Sequence, residues 1–161
     1  MTTATLEIQA PADEPTIVTR RVIKAPPALL WDAWTKPEHM RCWLGPKHLE
    51  MVECEVDLRV GGSYRFVHRA PDGQEFGFHG VYRQIDAPRL LVSTFVFEPW
   101  PDLEAVDTLT FDQVDGGTLV TTSSRHSSIE ARDGHLAGGM ERGMTEGYER
   151  LDALVAALQS A

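Results

Sequence analysis

The sequence is poor in cysteine, in positive charge and in long apolar runs, and each shortage excludes a class of protein. Fifteen Lys and Arg residues stand against 24 acidic ones, a formal net charge of −9, and the basic residues form no cluster. Nucleic acid and anionic membrane surfaces are therefore not expected as partners. No run approaches the about 18 apolar residues of a membrane span. The first residues show no export signal, so Cys42 and Cys54 indicate reduced thiols and a cytoplasmic location.

The chain length and the local composition indicate one domain. A chain of 161 residues can bury a sizeable core without a metal ion or a disulfide. Residues 1–15 are polar and unpatterned, which predicts a loose N-terminal tail. Residues 16–161 show no repeat and no linker, and we expect them to form a single domain.

The hydrophobic pattern predicts an α+β fold. β-Branched segments bounded by turn residues predict seven strands, the last six forming an antiparallel meander, at residues 16–24, 50–57, 63–69, 75–85, 90–98, 106–113 and 118–125. Prolines predict two short helices after the first strand, ending near Thr35 and Gly45. Residues 135–158 predict a long amphipathic helix.

This order of elements predicts a cavity. A sheet of seven strands must curl because its twist accumulates, and the long helix is the element that can cover its concave face. Gly139, Gly143 and Gly147 repeat at every fourth position of this helix, at a cost of about 1 kcal/mol each relative to alanine. Either another element approaches the helix closely at these positions, or space is left there.

Several segments carry a resemblance to a known family. They are residues 25–46 (APPALLWDAWTKPEHMRCWLGP), 57–73 (DLRVGGSYRFVHRAPDG), 80–91 (GVYRQIDAPRLL) and 139–158 (GMERGMTEGYERLDALVAAL). The chain resembles homologues of the activator of the heat-shock chaperone ATPase, in the START-like (SRPBCC) superfamily. The resemblance implies the helix-grip fold of the birch-pollen allergen. The eukaryotic members have an additional N-terminal domain for which this chain has no room, so a chaperone partner is not expected.

The hairpin at Asp72 and Gly73 predicts which side chains face the helix. A two-residue turn there would place Phe66 opposite His79. One sheet face, which we expect to be the inner one, would then carry Tyr64, Phe66, His68, His79, Val81 and Thr94. The other face would carry an apolar patch that predicts a homodimer, namely Phe76, Phe78, Tyr82 and Phe95.

The predicted cavity is completed by side chains from the helices. We expect the helices to contribute Trp34, Trp43, Met140, Met144 and Tyr148. Apolar walls with a few polar groups are typical of a small-molecule site. The first hypothesis is therefore a binding module for a small apolar or amphipathic ligand, with no cofactor and no catalytic residue.

Two alternatives stay open. One is a cyclase- or dehydratase-like enzyme acting on polyketide-type substrates, using His68 with His79 or Tyr64 as an acid–base pair. The other is an interaction protein related to chaperone cofactors, binding through the outer face of the sheet. No metal is expected, because the candidate ligands His39, Cys42, His48 and Cys54 have poor spacing for zinc.

Overall fold

The computed structural model describes residues 5–160, which form eight β-strands and four α-helices. The strands are β1 (Glu7–Gln9), β2 (Thr16–Ile23), β3 (Glu50–Val56), β4 (Ser63–Arg69), β5 (Glu75–Asp86), β6 (Leu90–Phe97), β7 (Ala105–Val114) and β8 (Gly117–Arg125). The helices are α1 (Pro27–Thr35), α2 (Pro37–Trp43), α3 (Ile129–Ala137) and α4 (Met140–Ser160).

The strands form one antiparallel sheet in the order β1-β2-β8-β7-β6-β5-β4-β3. Strands β3 to β8 follow one another as a meander, and β2 joins the sheet beside β8. The predicted α+β architecture is confirmed, with eight strands instead of seven. No helix within residues 5–160 combines the length and the apolar character needed to cross a bilayer.

The additional strand lies in the segment that was expected to be a loose tail. Strand β1 pairs with β2, and the buried Arg132 holds the residues that follow it. Its Nη1 atom donates hydrogen bonds to the carbonyl oxygens of Pro11 at 2.8 Å, Glu14 at 2.9 Å and Thr16 at 3.0 Å. The expectation is therefore wrong for this part of the segment, while residues 1–4 lie outside the described residues. The sequence did not predict this, because the segment is held by hydrogen bonds of its backbone, which require no pattern of apolar side chains.

The predicted C-terminal helix is two helices. Helix α3 begins at Ile129, where the Ser128 hydroxyl accepts a hydrogen bond from the Ala131 N–H at 3.0 Å. The chain then breaks at Gly139, whose φ of 92° is accessible mainly to glycine. The C-terminal half of helix α4 joins the hydrophobic core, with Leu151 fully buried and Val155 2% exposed. The leucine-rich half of α4 therefore anchors the helix.

The pairing of β4 with β5 differs from the predicted register by one residue. Phe66 lies opposite Phe78, not opposite His79. The hairpin loop has three residues, since the Ala70 N–H donates to the Gln74 carbonyl at 2.8 Å and Gly73 has a φ of 92°. A shift of one residue turns every side chain of a strand to the opposite face. The prediction of which face of β5 points inward was therefore wrong.

Candidate functional site

A cavity of about 370 Å³ lies between the concave face of the sheet and helix α4. Helices α1 and α2 contribute Trp34 and Trp43, and the loop after α2 contributes Gly45 and Pro46. The sheet contributes side chains from β4 to β8. The wall is mostly aromatic and aliphatic, as it is in small-molecule sites.

Most of the residues predicted for the site line this cavity. Those that line it are Trp34, Trp43, Tyr64, Phe66, His68, Met140, Met144 and Tyr148. Three others point away from it because they lie on the opposite sheet face, namely His79, Val81 and Thr94. The Thr94 hydroxyl accepts a hydrogen bond from the Val81 N–H at 2.8 Å.

The predicted outer apolar patch faces inward. Phe78, Tyr82 and Phe95 line the cavity, and Phe76 lies on the same face as Phe78 by the alternation of β5. The patch that predicted a homodimer is therefore not on the outer surface, and that argument no longer holds. Reading the turn as a three-residue loop that ends with Gly73, instead of a two-residue turn, would have given the correct register.

Stacked and edge-to-face aromatic rings form the cavity wall. Phe78 stacks on Phe66 at 5.0 Å and on Phe95 at 5.6 Å between ring centroids. At the α1–α2 end, the Trp34 ring lies 4.5 Å from Trp43 and 5.9 Å from Tyr148 in edge-to-face geometry. Each ring is fixed by its neighbours, so a ligand would meet a wall that is already ordered.

The glycines of α4 have different roles. A Cβ atom at Gly143 would meet only Pro46 Cδ, at 3.7 Å, and Gly143 lines the cavity. A Cβ atom at Gly147 would lie 3.1 Å from the Trp43 carbonyl oxygen, where the end of α2 crosses the helix. Gly143 therefore leaves space, whereas Gly147 permits close packing.

A short polar stripe crosses the cavity wall on three adjacent strands. Asp107 of β7 is paired with Ser93 of β6 and with Ser124 of β8, and all three line the cavity. Within residues 5–160, the Asp107 Oδ1 atom is buried and has no hydrogen-bond partner. Burial raises the pKa of Asp107 to about 6, although Ser124 partly opposes this. Sequence reasoning missed Asp107, but Leu109 and Phe111 alternate with it on β7 and would have placed it inward.

His68 is a neutral side chain at the other end of this wall. Burial, and then the charge of Arg150, lowers the pKa of His68 to about 4. Gly45 covers its ring so closely that a Cβ atom there would lie 2.7 Å from Cε1. Its Nδ1 atom has no hydrogen-bond partner among the described residues. The imidazole is therefore a neutral polar group of the cavity wall, with one ring nitrogen left unpartnered among the described residues.

A further histidine of the cavity wall, His135 of α3, lies beside His126. The rings of His126 and His135 lie 5.1 Å apart, and His135 lines the cavity. Burial lowers the pKa of both, that of His126 to about 4. Both imidazoles are therefore neutral at pH 7, like that of His68.

The acid–base pair of His68 with His79 is wrong. His79 lies on the outer face, where its Nδ1 atom is 2.8 Å from Glu98 Oε2. The Tyr64 hydroxyl is buried and donates to the Thr94 carbonyl oxygen at 2.6 Å. Burial raises the Tyr64 pKa, so its proton is firmly held. No group of three or more His, Cys, Asp or Glu side chains within residues 5–160 is arranged to hold a metal ion.

Comparison with known proteins identifies the family. A sequence model of the family described as Activator of Hsp90 ATPase homolog 1-like protein matches residues 24–156. The chain belongs to this family. The match includes all of α1 to β8 and most of α4, which are the elements that surround the cavity. No curated protein matches the chain.

Solved structures of bacterial proteins share the fold of this family member. A Rhodobacter sphaeroides protein is 29% identical, with a TM-score of 0.88 over 95% of this chain and 99% of the other. A Chromobacterium violaceum protein is 26% identical, with a TM-score of 0.76 over 87% and 96%. An AHSA1-like protein from Aeromonas hydrophila is 23% identical, with a TM-score of 0.71 over 86% and 93%, and shows the fold alone.

Proposed function

We propose that the protein binds a small apolar or amphipathic molecule in the cavity between the sheet and α4. The observation that carries this proposal is the cavity of about 370 Å³ with its aromatic wall. This volume lies within the roughly 300–1,000 Å³ that is usual for small-molecule sites. The family description names activation of a chaperone ATPase, but our proposal rests on the cavity.

Helix α4 supports the proposal because it keeps space where filling would stabilise the fold. Gly143 lies inside α4 and has room for a side chain. An alanine there would favour the helix by about 1 kcal/mol, and a longer apolar side chain would also bury area against the wall. Met140 and Met144, beside this position, have flexible side chains that adapt to ligands of different shape.

A thermal-shift screen tests the proposal. Apolar and amphipathic compounds of one to three rings are added to the wild-type protein and to Gly143→Leu, whose new side chain occupies part of the cavity. A ligand at about 100 times its Kd adds about 2.7 kcal/mol of stability, which raises Tm by roughly 5–10 °C in a domain of this size. We expect this rise in the wild type and its loss in Gly143→Leu.

The matched control is Gly134→Leu in α3. A Cβ atom at Gly134 meets nothing within 4 Å, and this residue does not line the cavity. The control variant should therefore respond to ligands as the wild type does. The proposal is refuted if no compound raises Tm, or if Gly143→Leu, correctly folded, responds like the wild type.

A further inference from the structure

We propose that the ligand carries a hydrogen-bond donor, a hydroxyl or an ammonium group, at one end of its apolar body, and that Asp107 accepts this hydrogen bond. The inference rests on the proposed function and adds the chemical class of the ligand. It starts from Asp107, the one carboxylate that the described part of the chain places in the cavity wall, between Ser93 and Ser124.

One oxygen of the Asp107 carboxyl group lacks the hydrogen bond that a buried acceptor normally makes. This atom, Oδ1, is shielded from solvent and unpartnered within residues 5–160. Buried acceptors of native proteins nearly always have a partner. Asp107 is only partly buried and lines the cavity, so a donor on a bound ligand can approach its carboxyl group. A rotation of this group about χ2 presents the unpartnered oxygen to the donor.

The charge of the cavity wall excludes an anionic ligand group at this place. Among residues 5–160, no lysine or arginine lines the cavity, and Arg150 acts on His68 rather than on Asp107. The histidines of the wall, His68 and His135, have lowered pKa values and are neutral at pH 7, as is the adjacent His126. A ligand carboxylate beside Asp107 would therefore be buried without a cation, which is unfavourable. Fatty acids and other apolar carboxylates should be poor ligands.

The aromatic wall favours a flat body for the ligand. Phe66, Phe78 and Phe95 stack in a row, and this row and Asp107 line the same cavity. Aromatic faces also attract an ammonium group. Both donors, hydroxyl and ammonium, therefore fit this wall, and a matched set of ligands separates them.

The test is calorimetric titration with four biphenyls that differ in one group. They are 4-phenylphenol, 4-phenylbenzylamine, 4-methoxybiphenyl, which has the oxygen without the donor, and biphenyl-4-carboxylate. A hydrogen bond to a charged acceptor should make the phenol or the amine bind at least about tenfold more tightly than the methoxy compound. The carboxylate should bind most weakly.

Variants of β7 assign the effect to Asp107. Asp107→Leu should remove the preference for the donor while retaining affinity for 4-methoxybiphenyl. Asp107→Asn should lose the preference for the amine, because its side chain carries no charge. The control Asp112→Asn changes an exposed aspartate of the same strand and should keep the wild-type ranking.

The outcomes separate this inference from the proposed function. If the wild type binds the methoxy compound or the carboxylate as tightly as both donors, the inference is wrong and the binding function stands. The inference is also wrong, and the binding function stands, if Asp107→Leu binds the four ligands in the same order of affinity as the wild type. Another residue would then recognise the donor. If the wild type binds none of the four, while the screen finds no other ligand, the proposed function fails and the inference with it.

Discussion

Replacing Asp107 with asparagine should change how the stability of the protein depends on pH. Burial raises the pKa of Asp107 to about 6 from an ordinary value of 3.8. The native state therefore binds this proton more tightly than the unfolded chain does, and stability must fall as the pH rises between these two values. The contribution is fully present below about pH 4 and is lost as the pH passes 6.

The size of the effect follows from the two pKa values. They differ by about two pKa units, and one unit corresponds to about 1.4 kcal/mol, so ionisation of Asp107 should cost the native state about 3 kcal/mol. Asparagine has nearly the same shape and does not ionise. Asp107→Asn should therefore match the wild type near pH 4 and be more stable by up to about 3 kcal/mol near pH 8.

Urea unfolding at several pH values measures this difference. The free energies of unfolding of the wild type and Asp107→Asn are compared between pH 4 and pH 8, so that other titrating groups cancel in the difference. Asp112 lies on the exposed part of β7. The free energy of unfolding of Asp112→Asn should therefore change with pH in the same way as that of the wild type. A difference between Asp107→Asn and the wild type that stays constant across this range would refute the argument that burial raises the pKa of Asp107.

Other predictions concern helix α4, the N-terminal segment and His68. Gly143→Ala should raise the free energy of unfolding by about 1 kcal/mol through helix propensity, whereas Gly147→Ala should lower it because its Cβ would lie 3.1 Å from the Trp43 carbonyl oxygen. If thermal unfolding showed the same change in stability for Gly143→Ala and Gly147→Ala, the two glycines would not have different roles. Arg132→Met leaves three carbonyl oxygens without their donor and should cost at least about 2 kcal/mol; an unchanged Tm would contradict this. The NMR chemical shifts of the His68 ring, followed against pH, should show a titration midpoint near pH 4. A midpoint near pH 6.5 would mean that the ring is exposed to solvent.

Much of the fold could be predicted because its turns are marked in the sequence. Residues 63–69 were predicted as a strand and form β4, and the predicted strand at residues 118–125 lies within β8. Turn residues such as the Asp–Gly pairs separate successive strands. In a meander each strand pairs with the next one along the chain, so the pairing follows from the order of the strands. The stripe of α4 and the prolines that begin α1 and α2 are equally local signals.

The inner face of β5 could not be read from alternation, because both faces of β4 and β5 carry apolar or aromatic residues. Phe78 and His79 are neighbours, and one loop residue more than the predicted two-residue turn decides which of them points inward. Three site residues were therefore placed on the wrong face, while the helix residues Met140 and Met144 were placed correctly.

Asp107 was missed for a different reason. A polar residue in a half-exposed strand ordinarily faces solvent, and its alternation with Leu109 and Phe111 was the only contrary signal. Whether a buried carboxylate is paired depends on the neighbouring strands, which only the three-dimensional arrangement of β6, β7 and β8 shows.

The most direct test of the account is methyl NMR of the methionines during titration with 4-phenylphenol. Met140 and Met144 line the cavity, and the buried Met51 does not, so it serves as an internal control. We predict saturable shifts of the Met140 and Met144 methyl signals with little change at Met51. Unchanged signals at Met140 and Met144, or equal shifts at all three methionines, would contradict binding in the cavity.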